Sequence, residues 1–202
     1  MGHAGMAATV VRYLRSVGSP TSAGPVEALP RPDLRAVGDD ERAPVDPGEF
    51  RRVLGTFASG VTVITAAGPD GPAGFACQSF ASLSLDPPLV AFMVARTSTT
   101  WPRIARAGAF CVNVLGAGQS ELCRGFAVSG ADKFAGVDHS PAPVSGAPRV
   151  EGGAAWIDCA VHAVHTGGDH LIVVGRITAL GTPPTPVSPL LFHRGHFATL
   201  ED

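Results

Sequence analysis

Residues 74–89, GFACQSFASLSLDPPL, contain no Lys, Arg, His or Glu. Their only acid, Asp86, precedes Pro87 and Pro88, whose fixed φ and missing amide donors end regular strand pairing. Before that stop, residues 82–85 alternate polar with apolar side chains, which is the period of a strand with one buried face. Small and hydroxyl-bearing residues leave the backbone accessible, so the polar face suits a flat, hydrogen-bonding ligand. An edge strand whose serines face water explains the same pattern.

The composition is that of one compact domain. A chain of 202 residues, 45% hydrophobic and 16% charged, is long enough to bury a core. The formal net charge is -2 and basic residues form no dense cluster, which argues against nucleic-acid binding. The apolar runs are far shorter than the roughly 20 residues of a membrane-spanning helix, so a membrane is not an expected partner. The four cysteines include no C-x-x-C pair, which disfavours a disulfide framework and favours a reducing cytoplasm.

Residues 1–45 are predicted to be a flexible extension, and residues 46–202 a single domain. Prolines recur among Gly, Ala and Ser in the first segment. Asp46 has the capping-box spacing to a glutamate, and Pro47 suits the first position of a helix that Gly60 is expected to end. The apolar positions at helical spacing are Phe50, Val53, Leu54 and Phe57.

After this helix the pattern is one of short strands. Residues 61–66 are rich in β-branched side chains, and turn residues 68–71 fold them back as an antiparallel hairpin. Residues 89–94 are apolar on both faces, as expected in a barrel wall or beneath a partner subunit. Residues 156–164 precede a TGGD turn that starts another hairpin. Short strands with few helices predict an antiparallel closed barrel, and no GxGxxG follows a strand as a Rossmann fold would require.

A hydroxyl-rich run, RTSTTWP from Arg96 to Pro102, precedes a short predicted helix that ends at Gly108. Hydroxyls and unpaired amides at a helix start make an anion site, and Arg96 adds a full charge. Ordinary N-capping by a threonine explains the same residues.

Two H-x-x-H pairs begin at His162 and His193. On a strand, side chains at this spacing point to opposite faces, so they do not form a metal pair. We therefore predict no metal site.

The chain resembles the FMN-binding split-barrel flavin reductases, the small components that supply reduced flavin to two-component monooxygenases. The motifs that carry the resemblance are FRRVLGTFASGVTVIT (50–65), GFACQSFASLSLDPPL (74–89), DKFAG (132–136), GGDH (167–170) and PLLFHRG (189–195). The resemblance runs from about residue 50 to residue 197 and is greatest to the reductases of phenol and steroid-derived phenol hydroxylases. It implies a mainly β fold, an antiparallel split β-barrel of Greek-key topology with a few short flanking helices.

The resemblance also implies a function. NADH, or alternatively NADPH, reduces free FAD or FMN by hydride transfer, and the reduced flavin serves a separate flavin-dependent monooxygenase. His170 is the implied catalytic residue at the nicotinamide site, where Arg194 assists. The residues implied to contact the cofactors are Gly74, Phe75, Ala76, Cys77, Gln78, Ser79, Ser82, Val94, Ala95, Arg96, Ser98, Thr99, Thr100, Lys133, Gly168, Asp169, His170 and Arg194. A cytoplasmic homodimer is expected. From the residues alone, Lys133 is equally explained as a solvated loop residue and His170 as an exposed one.

Two other classes remain open. A non-catalytic split barrel that holds flavin or haem shares the phosphate site but needs no nicotinamide motif. An oxidase of the pyridoxamine-phosphate type requires a cluster of basic residues, and only Arg96 lies near the expected site.

The lack of an acid–base pair in residues 74–89 agrees with hydride transfer, because the cofactors themselves donate and accept the hydride and the protein positions their rings.

Overall fold

The computed structural model describes residues 45–128, 130 and 132–200. The predicted flexible extension, residues 1–45, lies outside the described residues except for Val45, so its boundary with the domain stays a prediction. Among the described helices, none is long and apolar enough to cross a bilayer.

In residues 45–200, as far as the structure describes them, three short helices flank a set of antiparallel strands. The helices are α1 (Pro47–Leu54), α2 (Trp101–Ala107) and α3 (Ser120–Ala127). The strands are β1 (Ser59–Gly60), β2 (Thr62–Gly68), β3 (Gly71–Cys77), β4 (Ala81–Ser84), β5 (Leu89–Ala95), β6 (Ala109–Val114), β7 (His139–Pro141), β8 (Pro148–Val150), β9 (Ala155–Gly167), β10 (His170–Gly181), β11 (Leu191–His193) and β12 (His196–Ala198). The described fold is therefore mainly β, as predicted.

Helix α1 begins where the sequence predicts and ends earlier. The Asp46 carboxylate accepts a hydrogen bond at 2.9 Å from the amide of the third helical residue, which confirms it as the cap. The prediction that Gly60 ends the helix is wrong, because the helix stops at Leu54. The amides of Thr56 and Phe57 donate to carbonyls three residues earlier, which tightens the chain out of the α conformation. The apolar repeat continues to Phe57, but this side chain is 82% exposed and packs on no core.

The barrel wall is a seven-stranded antiparallel sheet in the order β3-β2-β6-β9-β10-β5-β4. The predicted hairpins are present, since β2 pairs with β3 across the turn from Gly68 to Gly71, and β9 pairs with β10 across the turn at Gly168. Strands β1, β11 and β12 form a small second sheet, and β7 pairs with β8 inside the long loop that precedes β9.

Residues 78–80 cross between the two edges of the seven-stranded sheet. Strand β3 ends at Cys77 and the next strand, β4, lies at the opposite edge. The Ser79 hydroxyl donates to the Met93 carbonyl at 2.9 Å and accepts from the Met93 amide at 3.0 Å. Because β4 pairs with β5 only as far as Ala91, this serine occupies the edge of β5 that β4 leaves unpaired. The crossing segment thus closes the barrel by side-chain bonds.

The core fills the barrel with aromatic and branched side chains. Phe92 and Phe110 are fully buried and meet edge to face with ring centroids 5.2 Å apart. Gly175 faces the Phe110 ring, and a Cβ there would lie 2.4 Å from that ring, so the position admits no side chain. Strand β5 is apolar on both faces as predicted: Val90, Phe92 and Val94 are buried, whereas the alternate Met93 is 42% exposed.

Candidate functional site

Many of the expected site residues line one cleft of about 650 Å³, here called the main cleft. Those residues are Phe75, Ala76, Cys77, Gln78, Ser79, Val94, Ala95, Ser98, Thr99, Thr100, Lys133 and His170. The main cleft is bordered by the end of β3, the start of α2 and the turn between β9 and β10. Its volume is typical of small-molecule sites in proteins.

The wall formed by residues 76–79 is uncharged and held by hydrogen bonds. The Thr62 hydroxyl donates to the Cys77 carbonyl at 2.8 Å, and the Ser79 hydroxyl is committed to the backbone of Met93. Burial raises the pKa of Cys77, so its thiol stays protonated near neutral pH and is no nucleophile. This wall therefore offers a ligand its shape, its main-chain groups and the side-chain amide of Gln78.

The hydroxyl run provides the polar end of the main cleft. The Ser98 hydroxyl accepts from the Trp101 amide at 3.2 Å, whereas the side chain of Thr100, the residue before α2, makes no capping bond. Ser98 thus caps the helix, and the hydroxyls of Thr99 and Thr100 are available for a hydrogen bond to a ligand. Capping by a threonine, the alternative explanation of this run, does not account for these residues.

Lys133 joins the loop after α3 to the cleft wall. Its ammonium donates to the carbonyls of Gly74 at 3.2 Å and Phe126 at 3.0 Å. Partial burial lowers the pKa of Lys133. An ammonium has three donors, so one remains for a ligand. Thr99, Thr100 and Lys133 also line an adjoining cleft of about 520 Å³, which places all three at one end of the main cleft.

His170 is oriented by its neighbour in the tight turn. Its Nδ1 lies 2.8 Å from the Asp169 carboxylate, and the hydrogen bond from His170 lowers the pKa of Asp169. The Asp169 carbonyl accepts from the Arg96 amide at 2.9 Å, which ties this turn to the end of β5. Because Nδ1 is engaged, the Nε2 edge of the half-exposed ring is the part available to a ligand.

The other expected contacts do not line the main cleft; they are Gly74, Ser82, Arg96, Gly168, Asp169 and Arg194. Gly74 instead lines the adjoining cleft and gives its carbonyl to Lys133. Ser82 lies on the exposed edge strand β4, where the register shifts after it. Arg96 is exposed and contributes its backbone.

Sequence reasoning missed the far wall of the main cleft. Cys123, Arg124 and Phe126 of α3 line it together with Phe192 and Phe197 of the second sheet. Further lining residues are Val61, Met93, Thr97 and Ala127. The rings of Phe192 and Phe197 meet edge to face at 5.4 Å, and the Arg124 guanidinium lies 5.1 Å from the centre of the Phe197 ring. Phe192 lies in the PLLFHRG motif, but the aromatic residues of this wall have the spacing of ordinary core, so no local signal marks them as cleft residues.

A second large cleft, of about 820 Å³, lies between α1 and the tip of the hairpin formed by β11 and β12, and is here called the helix-side cleft. Gln78 and Phe192 line both it and the main cleft, so the two adjoin. Arg194 lines this cleft.

For metal binding, the part of the chain that the structure describes holds no group of three or more His, Cys, Asp or Glu residues suited to an ion. In the pairing of β9 with β10 the register skips His162, which marks an irregularity at the first of the H-x-x-H pairs.

Comparison with known proteins gives one family. Residues 54–201 match the family model described as flavin reductase like domain. The chain is 48% identical over 160 residues to the reductase subunit HsaB of a flavin-dependent monooxygenase from Mycobacterium tuberculosis, which covers 79% of this chain and 85% of that protein.

Solved structures agree with this match. Nitrilotriacetate monooxygenase component B from Mycobacterium thermoresistibile superimposes with a TM-score of 0.74 at 48% identity, over 76% of this chain and 86% of that one. The NADH:FAD oxidoreductase SgcE6 from Streptomyces globisporus, in complex with NAD and FAD fragments, superimposes with a TM-score of 0.72 at 37% identity, over 79% and 98%. Both coverages show that the likeness extends over nearly the whole of those structures.

Proposed function

This chain belongs to the family of flavin reductase-like domains, and from that premise we propose that the main cleft is where it reduces flavin. It is an NADH:flavin oxidoreductase, which transfers a hydride from NADH to FAD or FMN and supplies the reduced flavin to a partner flavin-dependent monooxygenase. Relatives named as an NADH-dependent FAD reductase and as an FMN reductase (NADH) support this activity.

The observation that carries the proposal is that one cleft joins three expected groups: the uncharged wall of residues 76–79, the hydroxyl run and His170. An isoalloxazine ring fits the wall, because the lining residues 76–79 carry no charge and Ala76, Cys77 and Ser79 have small side chains. Thr99, Thr100 and Lys133 fit the ribityl chain and phosphate, because they bring two hydroxyls and a cation to one end.

The chain's own contribution to hydride transfer is positioning. A bound flavin accepts the hydride from the reduced nicotinamide ring, and neither partner needs a proton from a carboxylate. No Asp or Glu is among the described residues that line the main cleft, and the buried Cys77 thiol stays neutral. We assign His170 to the nicotinamide, with its Nε2 edge as the contact. Rate then depends on how closely the cleft holds the two rings together.

We propose that the protein is a homodimer. The outward face of β5 carries Leu89, Ala91 and Met93, and Leu83 of the neighbouring β4 is 54% exposed. Such an apolar sheet face on a small barrel suits an obligate interface. Light scattering should give twice the chain mass at micromolar concentration, and a monomer mass would contradict the proposal.

We also propose that the protein works in the cytoplasm. All four cysteines are free and buried, which agrees with a reducing compartment. Fractionation of cells that express the full chain tests this, since recovery outside the cytoplasmic fraction would contradict it.

The experiment that tests the function follows NADH oxidation with and without added flavin. We expect turnover only when FAD or FMN is present, and no hydroxylation of an aromatic compound by this protein alone. Hydroxylation by the lone protein, or NADH oxidation without flavin, would refute the proposal. A protein that stays yellow through desalting and does not oxidise NADH would instead support a non-catalytic flavin carrier.

A further inference from the structure

We infer that Arg124 of α3 is a further catalytic residue of the main cleft, whose guanidinium contacts the flavin ring and stabilises the negative charge that the ring gains with the hydride. This inference rests on the proposed function. Arg124 lies outside every motif that carries the family resemblance, and it lines the main cleft from the far wall.

The balance of charge in the reaction favours a cation beside the flavin ring. The nicotinamide ring gives up a hydride, which is a proton with two electrons, and becomes positively charged. The flavin ring accepts the hydride and becomes negatively charged unless a proton follows. Among the described residues that line the main cleft there is no Asp or Glu to supply that proton, and burial raises the pKa of the Cys77 thiol. The negative charge is larger in the transition state than in the starting complex, so a cation that touches the ring increases the rate.

Three of the described lining residues have side chains that carry a positive charge when protonated: Arg124, Lys133 and His170. Lys133 is engaged at the polar end of the cleft, where its ammonium donates to two main-chain carbonyls. His170 lies at the end assigned to the nicotinamide, where a cation would repel the NAD⁺ that forms. Arg124 is therefore the cation left for the flavin ring, and arginine, unlike histidine, is charged throughout the physiological pH range.

The far wall holds Arg124 beside the wall assigned to the flavin. Ala76 of the flavin wall and Phe197 of the far wall pack against one buried cluster, which includes Cys123 of α3. The Arg124 guanidinium lies 5.1 Å from the centre of the Phe197 ring, and this ring meets Phe192 edge to face. A guanidinium packed on an aromatic face keeps its N–H edges free for hydrogen bonds. These donors suit a carbonyl oxygen of a ring bound in the cleft.

The ion pair with Glu121 leaves the guanidinium available. Nη1 of Arg124 binds the Glu121 carboxylate, three residues earlier on α3. Glu121 does not line the main cleft and its side chain is 82% exposed, so water screens this pair. Nε and Nη2 of Arg124 donate to none of the described residues. The carboxylate thus occupies one of the three nitrogens, and its negative charge reduces the positive charge that a flavin meets.

The test compares the affinities of the protein for oxidised and for reduced FMN, measured by anaerobic titration. Arg124→Gln should raise the Kd for reduced FMN about 5- to 30-fold and the Kd for oxidised FMN less than about twofold. This change in the ratio of the two affinities lowers the two-electron potential of the bound flavin by about 20–45 mV. The rate of hydride transfer in single turnovers should fall by a similar factor. Arg124→Lys keeps the charge and should recover most of the loss.

Riboflavin and Glu121→Gln are the controls. Riboflavin has the same ring without the phosphate, so Arg124→Gln should weaken the binding of reduced riboflavin by the same factor. Glu121→Gln removes the ion pair without changing a cleft residue, so it should leave the Kd for reduced FMN unaltered or lower it. Both variants should keep a Tm within a few degrees of the wild type, because the pair is exposed.

Four results would overturn the inference. Equal weakening of both redox states would mean that Arg124 only shapes the cleft, and an effect that is absent with riboflavin would place its guanidinium at the phosphate. Equal losses in Arg124→Gln and Glu121→Gln would mean that the ion pair is what matters, and an unaltered Kd for reduced FMN in Arg124→Gln would remove the contact altogether. Each of these leaves flavin reduction by the wild type standing. A wild type that does not oxidise NADH with flavin would defeat the proposed function itself, and this inference with it.

Discussion

Gly74→Ala tests whether the packing behind the main cleft sets flavin affinity. A Cβ at this position would lie 2.9 Å from Cε1 of Phe126 and 3.0 Å from the Ile64 carbonyl oxygen. The carbonyl belongs to the neighbouring strand β2 and cannot move alone, so the Phe126 ring or strand β3 must shift. Overpacking of this kind costs about 1–3 kcal/mol of unfolding free energy. For a domain of this size, that lowers Tm by roughly 2–12 °C.

The same shift should weaken flavin binding. Phe126 lines the main cleft, and Lys133 bonds to the carbonyls of both Phe126 and Gly74. We therefore expect the Kd for flavin, measured by fluorescence titration, to rise several-fold alongside the loss of Tm measured by calorimetry.

Gly125→Ala is the control for this experiment. Gly125 lies next to Phe126 in α3, and a Cβ there meets no atom within 4 Å. Replacing a helical glycine with alanine should stabilise the protein by up to about 1 kcal/mol and leave flavin binding unaltered. If Gly74→Ala keeps the wild-type Tm and flavin affinity, the packing argument is wrong.

Three further predictions address other parts of the chain. His170→Ala should lower kcat/KM for NADH about 5- to 30-fold at unaltered flavin affinity, and unaltered steady-state NADH kinetics would remove His170 from the site. Deletion of residues 1–43 should leave flavin reduction within a few-fold of the full chain, whereas a folded but inactive product would show that the extension belongs to the site. Stability should fall as pH rises from 9 towards 12, because burial raises the pKa of Cys111 and of Cys159 from 9.0 to about 12, so the unfolded chain loses these protons first. A Tm that falls equally in a Cys111→Ala, Cys159→Ala double variant would contradict this cause.

The elements that the sequence predicted are those with local causes. The cap at Asp46, the turn from Gly68 to Gly71 and the stop of α2 at Gly108 each depend on residues a few positions apart. The end of α1 was misplaced because its apolar repeat runs on to Phe57, although the backbone has already left the helix. Periodicity reports which side chains are apolar, whereas hydrogen bonds decide where a helix stops.

The near wall of the main cleft was predictable and the far wall was not. Residues 76–79 and the hydroxyl run can each be recognised as possible cleft residues from the composition of one short segment. Phe126, Phe192 and Phe197 come from two distant segments and reach the cleft only through tertiary packing. The alternating pattern at Ser82 left a ligand-facing strand and a water-facing edge strand open, and the structure places Ser82 on the exposed edge strand β4, outside the main cleft.

The absence of charged residues from positions 74–85 has both a structural and a functional cause. The segment forms the end of β3, crosses from one edge of the sheet to the other at residues 78–80, and continues as β4. Cys77 in this segment packs into the core, whereas Gln78 faces the main cleft. A charged residue in place of Cys77 would be buried without a partner, which is strongly destabilising. A negatively charged residue in place of Gln78 would repel an anionic flavin. Since Ser79 uses its hydroxyl to close the barrel on Met93, the wall proposed for the flavin offers main-chain groups and the Gln78 amide, and their positions depend on the backbone path that the closure fixes.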